Sequence, residues 1–335
     1  MRIGRDPLLT QGSSGNTSLK LGGTLWIKAS GKWLADATQE DIFLPVDLAA
    51  VRRCIQRNVE PTEYASAAAP RLRASIETPM HALLPHAVVI HVHSVNTIAW
   101  AIREDAPARL QEVLHGIEWQ WIPCVPSGPM LAREVEKVLF HAPATNVLVL
   151  ANHGLVVCGR DCDDAEDLLQ ALERRLAITP RRPPEPDWDL LARVADGSPW
   201  ILPGDPALHA LGADSVSRRI LSGGLLYPCQ AVFSNSSTPE LFRAVPCHGP
   251  ANRCKNRFAG RPFLIVEAAG TLVKEAMPRA EHAMLCGLVE VVQRAGANAP
   301  IRYLTEVEIL RGLQADAGRY RDLANTSNDA RSRYF

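Results

Sequence analysis

Apolar and polar positions along this chain predict an alternating series of strands and helices. Short apolar or alternating runs at Thr24–Ala29, Ala87–Ser94, Trp119–Ile122, Asn146–Leu150 and Leu155–Gly159 each predict a strand. Leu131–Leu139 carries apolar residues at helical spacing, and Leu48–Ile55 and Asn96–Arg103 read as further helices. Asp163–Leu176 begins acidic and ends basic, as a helix dipole favours. In Glu77-Thr78-Pro79-Met80-His81 the proline suits a first helical turn, which puts Glu77 at a strand-to-helix junction. A carboxylate there serves either as a cap or as an acid/base.

The pattern breaks at Thr179–Pro186, a proline-rich linker. The expected organisation is therefore a first domain over 1–179, a linker over 180–190 and a second domain over 191–335. Residues 187–221 predict short helical pieces, and Tyr303–Leu310 predicts a helix capped by Thr305. The end, Asn325 to Phe335, is polar and expected to fray. Between them, Leu264-Ile265-Val266-Glu267-Ala268-Ala269-Gly270-Thr271-Leu272-Val273 mirrors Leu148–Val157. An Ala-Glu pair and an apolar helix follow each run, at Ala165-Glu166 and Ala280-Glu281. In this register His153 faces Ala269, so a partial internal duplication that has lost its histidine is expected.

Composition narrows the field. A chain of 335 residues is long enough for a sizeable core and about two domains. Its 36 basic and 36 acidic residues cancel, which argues against a nucleic-acid partner. Eight scattered cysteines point to reduced thiols and a cytoplasmic location. The N-terminus has no signal-peptide core, and no apolar run of about 18 residues predicts a membrane span.

The chemistry gathers at strand ends. Residues i and i+2 of a strand share a face, so His91 and His93 aim two imidazoles at one point. His153 closes another apolar run in the same way, and Glu77 lies just upstream of the pair. Three histidines with an open position make a catalytic metal site. Such a site can stabilise an enediolate while a carbon–carbon bond breaks, with Glu77 moving the proton. Two small polar turns, at 11–18 and 29–32, suit an anion, with backbone N–H groups and the side chains of Asn16, Ser18 and Ser30 as donors. Cys247-His248 with Cys254 lacks a clear fourth ligand for a second metal, and Cys158-x3-Cys162 has structural rather than zinc spacing.

The order Gly15-Asn16-Thr17-Ser18, Ala29-Ser30-Gly31, Ser75-Ile76-Glu77-Thr78-Pro79-Met80-His81, His91-Val92-His93 and Ala151-Asn152-His153-Gly154 resembles the class II aldolase/adducin family, over roughly residues 8–178. The resemblance implies an α/β fold, a three-layer α/β/α sandwich around a mostly antiparallel sheet. It implies His91, His93 and His153 as ligands of Zn2+, or of Mn2+, Co2+ or Fe2+, and Glu77 as the catalytic acid/base. It also implies a substrate or phosphate site at Asn16, Thr17, Ser30, Gly31 and Ser75. The expected activity is aldol cleavage of a sugar phosphate or sugar acid by a homo-oligomer, dimer or tetramer. An epimerase, a decarboxylase or a non-catalytic adducin-like interaction domain are the alternatives. Three departures stand out: Ile76 replaces a phosphate-binding serine, no tyrosine lies between His93 and His153, and the N-terminal helix looks shortened.

Overall fold

The computed structural model describes residues 2–57, 72–233, 241–242, 261–314 and 317–329. The apolar runs form strands β1 (Asn16–Leu21), β2 (Thr24–Lys28), β3 (Phe43–Asp47), β4 (Val88–Val92), β5 (Gln120–Ile122), β6 (Val147–Leu150) and β7 (Gly154–Gly159). Among the described residues they make one sheet in the order β3-β2-β1-β4-β7-β6-β5. It is antiparallel except for the β5–β6 pair. At the β1–β2 hairpin, Gly22 and Gly23 both take positive φ, as a two-residue turn between twisted strands requires.

Alternation along β4 decides which layer each residue serves. Val88, Ile90 and Val92 face a core shared with Leu110, Leu169 and Leu172. Val89 faces the other side, against Met80, Leu84 and Leu131. Helices Val95–Ala101, Ala106–Val113 and Cys162–Leu176 therefore cover one face. Helices Leu48–Gln56, Thr78–Leu83 and Pro129–His141 cover the other. This is the α/β sandwich expected from the sequence. His91 shares the odd-numbered face with Val89, on the side of the helix that follows Glu77.

A second sheet, β8 (Trp200–Ile201), β9 (Leu241–Phe242), β10 (Phe263–Val266) and β11 (Gly270–Lys274), has the order β8-β11-β10-β9. That order repeats β4-β7-β6-β5, and its parallel pair, β9–β10, falls at the same place as β5–β6. The turns match as well. Asn152 and Ala268, paired by the sequence register, are the two non-glycine residues with positive φ among the described residues, at 54° and 62°. Helix Arg279–Arg294 then follows β11 as Cys162–Leu176 follows β7. The pairing register carries the comparison to the histidines. Ile90 lies opposite Val157 and Ile201 opposite Val273, so counting on from that register matches Leu202 and Gly204, just past β8, to His91 and His93.

The two sheets are joined through helix Val95–Ala101. Its Val95 and Ile98 bury against Leu285, Leu288 and Val292 of Arg279–Arg294. The linker is tied down by Arg181, which donates to Asp214 Oδ2 at 2.9 Å and to the Val292 carbonyl at 2.9 Å. The C-terminal helix Ala317–Asp329 extends into the stretch expected to fray, and residues 330–335 lie outside the described residues.

Gly154 is a point of close approach. A Cβ there would lie 2.3 Å from the Val92 carbonyl oxygen and 3.3 Å from His93 Cα, both backbone atoms. Gly154→Ala is therefore expected to destabilise the chain by about 1–3 kcal/mol. The urea midpoint measures this, and an unchanged midpoint would show that β4 and β7 can part without loss.

Candidate metal centre

One strand and one turn deliver the histidines. His91 sits on β4 and His93 just past its end, while the tight β6–β7 turn projects His153 toward them. The three rings meet edge to face with centroids 4.8–4.9 Å apart. One ligand atom from each lies within 4.8 Å of the others, and all three residues are buried. The His91 Nδ1 contacts the Leu155 carbonyl oxygen at 3.1 Å. Donation there leaves Nε2 free to point inward, as a ligand's ring is commonly fixed. His93 Nε2 lies 3.1 Å from His91 Nε2, and His93 Nδ1 lies 3.4 Å from Cys229 Sγ.

Glu77 stands at the N-cap of helix Thr78–Leu83 but makes no capping bond. Its carboxylate turns to the histidines instead, with Oε2 3.4 Å from His91 Nε2 and Oε1 3.4 Å from His153 Nε2. Asn16 Nδ2 donates to Oε2 at 2.7 Å and Ser127 Oγ donates to Oε1 at 3.0 Å. Of the two roles open to a carboxylate at this junction, the cap is thus not used.

Charge follows burial. Desolvation pulls His153 down to about 4 against the attraction of Glu77. Desolvation, followed by the neighbouring imidazoles, pulls His93 well below its ordinary value. Neutral imidazoles are the form that binds a metal. For Glu77 burial alone raises the pKa, but His91, His153, His93 and the Asn16 amide outweigh it and hold the carboxyl below its usual range. The donor set of three imidazole nitrogens beside one carboxylate fits a single divalent ion.

A cavity of about 160 Å³ opens beside the histidines. Asn16, Ser30, Ser75 and Glu77 line it together with His93 and His153. Thr17 and Gly31 do not. Thr17 follows Asn16 on β1 and points to the opposite face. Gly31 lies under the C-terminal helix, where a Cβ would come within 2.5 Å of Leu323 Cβ. Ile76 lines the cavity and remains 41% exposed, which puts it at the rim.

The lining also includes residues that the sequence does not mark as part of a site, among them Lys28, Ser127, Cys229 and Tyr320. Lys28 is 2% exposed, and its ammonium donates to the Ser13 and Lys32 carbonyls at 2.7 Å each. It thereby ties the two small turns together. Burial pulls its pKa down to about 7, with Glu77 acting in the opposite direction. Tyr320 comes from the C-terminal helix, and its hydroxyl accepts from Ser13 Oγ at 2.8 Å. His81 is a packing histidine whose Nδ1 meets Ser18 Oγ at 2.7 Å. Cys247, His248 and Cys254 lie outside the described residues.

A three-layer sandwich thus brings together, from β4 and the β6–β7 turn, three histidines that could hold a metal ion. The family model for the class II aldolase and adducin N-terminal domain matches residues 4–179, and this chain belongs to that family. It is 27% identical over 173 residues to an uncharacterised oxidoreductase, YuxG, of Bacillus subtilis (strain 168). That match covers 47% of this chain and 25% of the relative, so the chain spans about a quarter of that protein's length. Among solved structures it is similar to the N-terminal class II aldolase domain of a conserved protein from Thermoplasma acidophilum. There the identity is 23%, the coverage 52% of this chain and 87% of the other, and the TM-score 0.43. It is also similar to L-fuculose-1-phosphate aldolase from Thermus thermophilus, with 18% identity, the same coverage and a TM-score of 0.35. No helix among the described residues is long and apolar enough to cross a membrane.

Proposed function

We propose that this chain is a divalent-metal-dependent aldolase that cleaves the aldol of a sugar acid or sugar phosphate. The observation that carries the reading is Glu77. Its carboxylate lies 3.4 Å from two of three convergent imidazoles and on the wall of a cavity. A divalent ion held by His91, His93 and His153 supplies Lewis-acid polarisation of a substrate carbonyl.

The chain's own residues do the rest. In cleavage the aldol hydroxyl loses its proton as the carbon–carbon bond breaks, and the carbon left with the electron pair gains one. Glu77 is placed to hold or move that proton, and Asn16 and Ser127 fix its orientation through one donated bond to each oxygen. Val232, Ile309 and Leu313 give the cavity an aliphatic wall.

Lys28 supports an anionic substrate. Its ammonium is buried, its hydrogen-bond partners among the described residues are two neutral carbonyls, and these leave a third N–H for a ligand. A buried cation gains from an anion brought beside it. Anion binding favours the charged amine, so affinity should be greatest below pH 7. It should fall by about tenfold per pH unit above that point, as the unliganded amine loses its proton. Calorimetry at pH 8 in buffers of different ionisation enthalpy should show uptake of about one proton per carboxylate or phosphate analogue bound. A pH-independent affinity would remove Lys28 from the anion end.

The reading is tested by a screen for aldehyde release from phosphorylated and free ketoses and sugar acids. Release from one of these classes, dependent on added metal, supports it. Carbon dioxide release or epimer formation without aldehyde contradicts it.

A further inference from the structure

The second half of the chain repeats β4-β7-β6-β5 with Leu202, Gly204 and Ala269 where the first has His91, His93 and His153. It carries none of the three histidines at the matching positions, yet it contacts the first copy's site at His93 and at Asn152, the residue before His153.

The first contact is at His153. The residue before it, Asn152, is fully buried and held at a φ of 54°, a conformation that asparagine tolerates better than most residues. Its side-chain amide donates to the Leu226 carbonyl at 2.8 Å and to the Arg302 carbonyl at 2.9 Å. Arg302 Nη1 donates back to Asn152 Oδ1 at 2.8 Å. Both N–H donors and the oxygen of this amide are therefore engaged by the second half. Arg302 is itself anchored through its ion pair with Glu308. In the second copy the equivalent residue is Ala268, which has no amide to hold.

The second contact is at His93. Cys229, on helix Pro228–Phe233, places Sγ 3.4 Å from His93 Nδ1. A thiol both donates and accepts. Donation by S–H suits a His93 whose Nε2–H points to His91 Nε2. Acceptance from Nδ1–H suits a His93 whose Nε2 is free to ligate. The same group can thus serve either tautomer without moving.

We propose that the second half acts in cis to set the metal ligands, Cys229 orienting the ring of His93 and Arg302, with the Leu226 carbonyl, fixing the turn that presents His153. Cys229 and Arg302 are positioning residues, and the assignment rests on the metal-site reading above. The same half also walls the cavity through Val232, Ile309, Leu313 and Tyr320, so one chain encloses the site from both sides.

Cobalt titration of the metal-free full chain, followed by visible d–d absorption and equilibrium dialysis, tests this without recourse to activity. Wild type should bind about one cobalt per chain in a three-histidine site. Cys229→Val and Arg302→Met should each raise the cobalt dissociation constant by about 10–100-fold and alter the d–d spectrum. Cys229→Ser, which keeps a donor and an acceptor, should restore both spectrum and affinity to near wild type. If the two contacts served only to join the halves, the melting temperature would fall while the cobalt spectrum and affinity stayed as in wild type. That outcome overturns the proposal. So does a thiolate-to-cobalt charge-transfer band in wild type, which would make Cys229 a ligand. Should Arg302→Met fail to fold, the Cys229→Val and Cys229→Ser pair decides alone, because those changes alter few atoms. A wild type that binds no cobalt overturns the metal reading itself and is seen before any variant is compared.

Discussion

Glu77→Gln should lower kcat for aldol cleavage by about 10²–10⁴-fold, the range for loss of a positioned acid/base. Metal affinity should fall far less, because the three imidazole ligands stay in place. The amide has the size of the carboxylate and keeps an oxygen for the Asn16 donor at Oε2. The Ser127 hydroxyl can rotate to accept from the new N–H, so no buried group is left without a partner. What is lost is the capacity to take and return a proton. Steady-state kinetics at saturating substrate, with metal content measured on the same sample, separates the two effects. A variant with wild-type kcat would show that Glu77 supports the site without moving the proton.

His153→Ala should weaken divalent-metal binding by about a thousandfold or more, in proportion to the large free energies of protein metal sites. Activity should fall below detection at ordinary metal concentrations. The expectation draws on the chain itself, since the second half carries Ala269 at this position and lacks the other two histidines as well. Two histidines on one strand would remain, with Glu77 as a third donor. Glu77 would then be drawn from proton transfer into ligation. Excess metal should therefore restore occupancy without restoring turnover. Recovery of full turnover at high metal would mean that His153 contributes affinity alone.

Much of the site was legible because strand geometry is simple. Period-two alternation puts His91 and His93 on one face whatever the rest of the fold does. The Pro79 signal placed Glu77 at a helix start, and the same reading left cap and acid/base both open. Only the packed structure, in which Asn16 and Ser127 draw the carboxylate away from the helix start, shows that the cap is not used. The likeness of Leu264–Val273 to Leu148–Val157 was legible as a strand–turn–strand run, whereas β8 and β9 were not. Each is two residues long and carries no periodicity to detect.

Other features failed for tertiary reasons. Thr17 and Asn16 are adjacent in one motif, but the pleat sends them to opposite faces. Gly31 belongs to a turn that suits an anion, and a helix nearly 300 residues later, bearing Leu323, covers it. Lys28 was read only as part of a strand, although a lone ammonium among Trp26, Ile27 and Ala29 is a local signal of a buried cation. Cys229, Arg302 and Tyr320 carry no local signal at all. They matter because the second sheet packs beside the first, which no window of sequence reveals.

The most direct measurement is the metal content of the full chain purified and dialysed under metal-replete conditions, compared with His91→Ala treated in the same way. The account predicts about one divalent ion per wild-type chain and a large loss in the variant. Wild-type protein with no bound metal, or equal metal in both, would contradict a centre built on His91, His93 and His153.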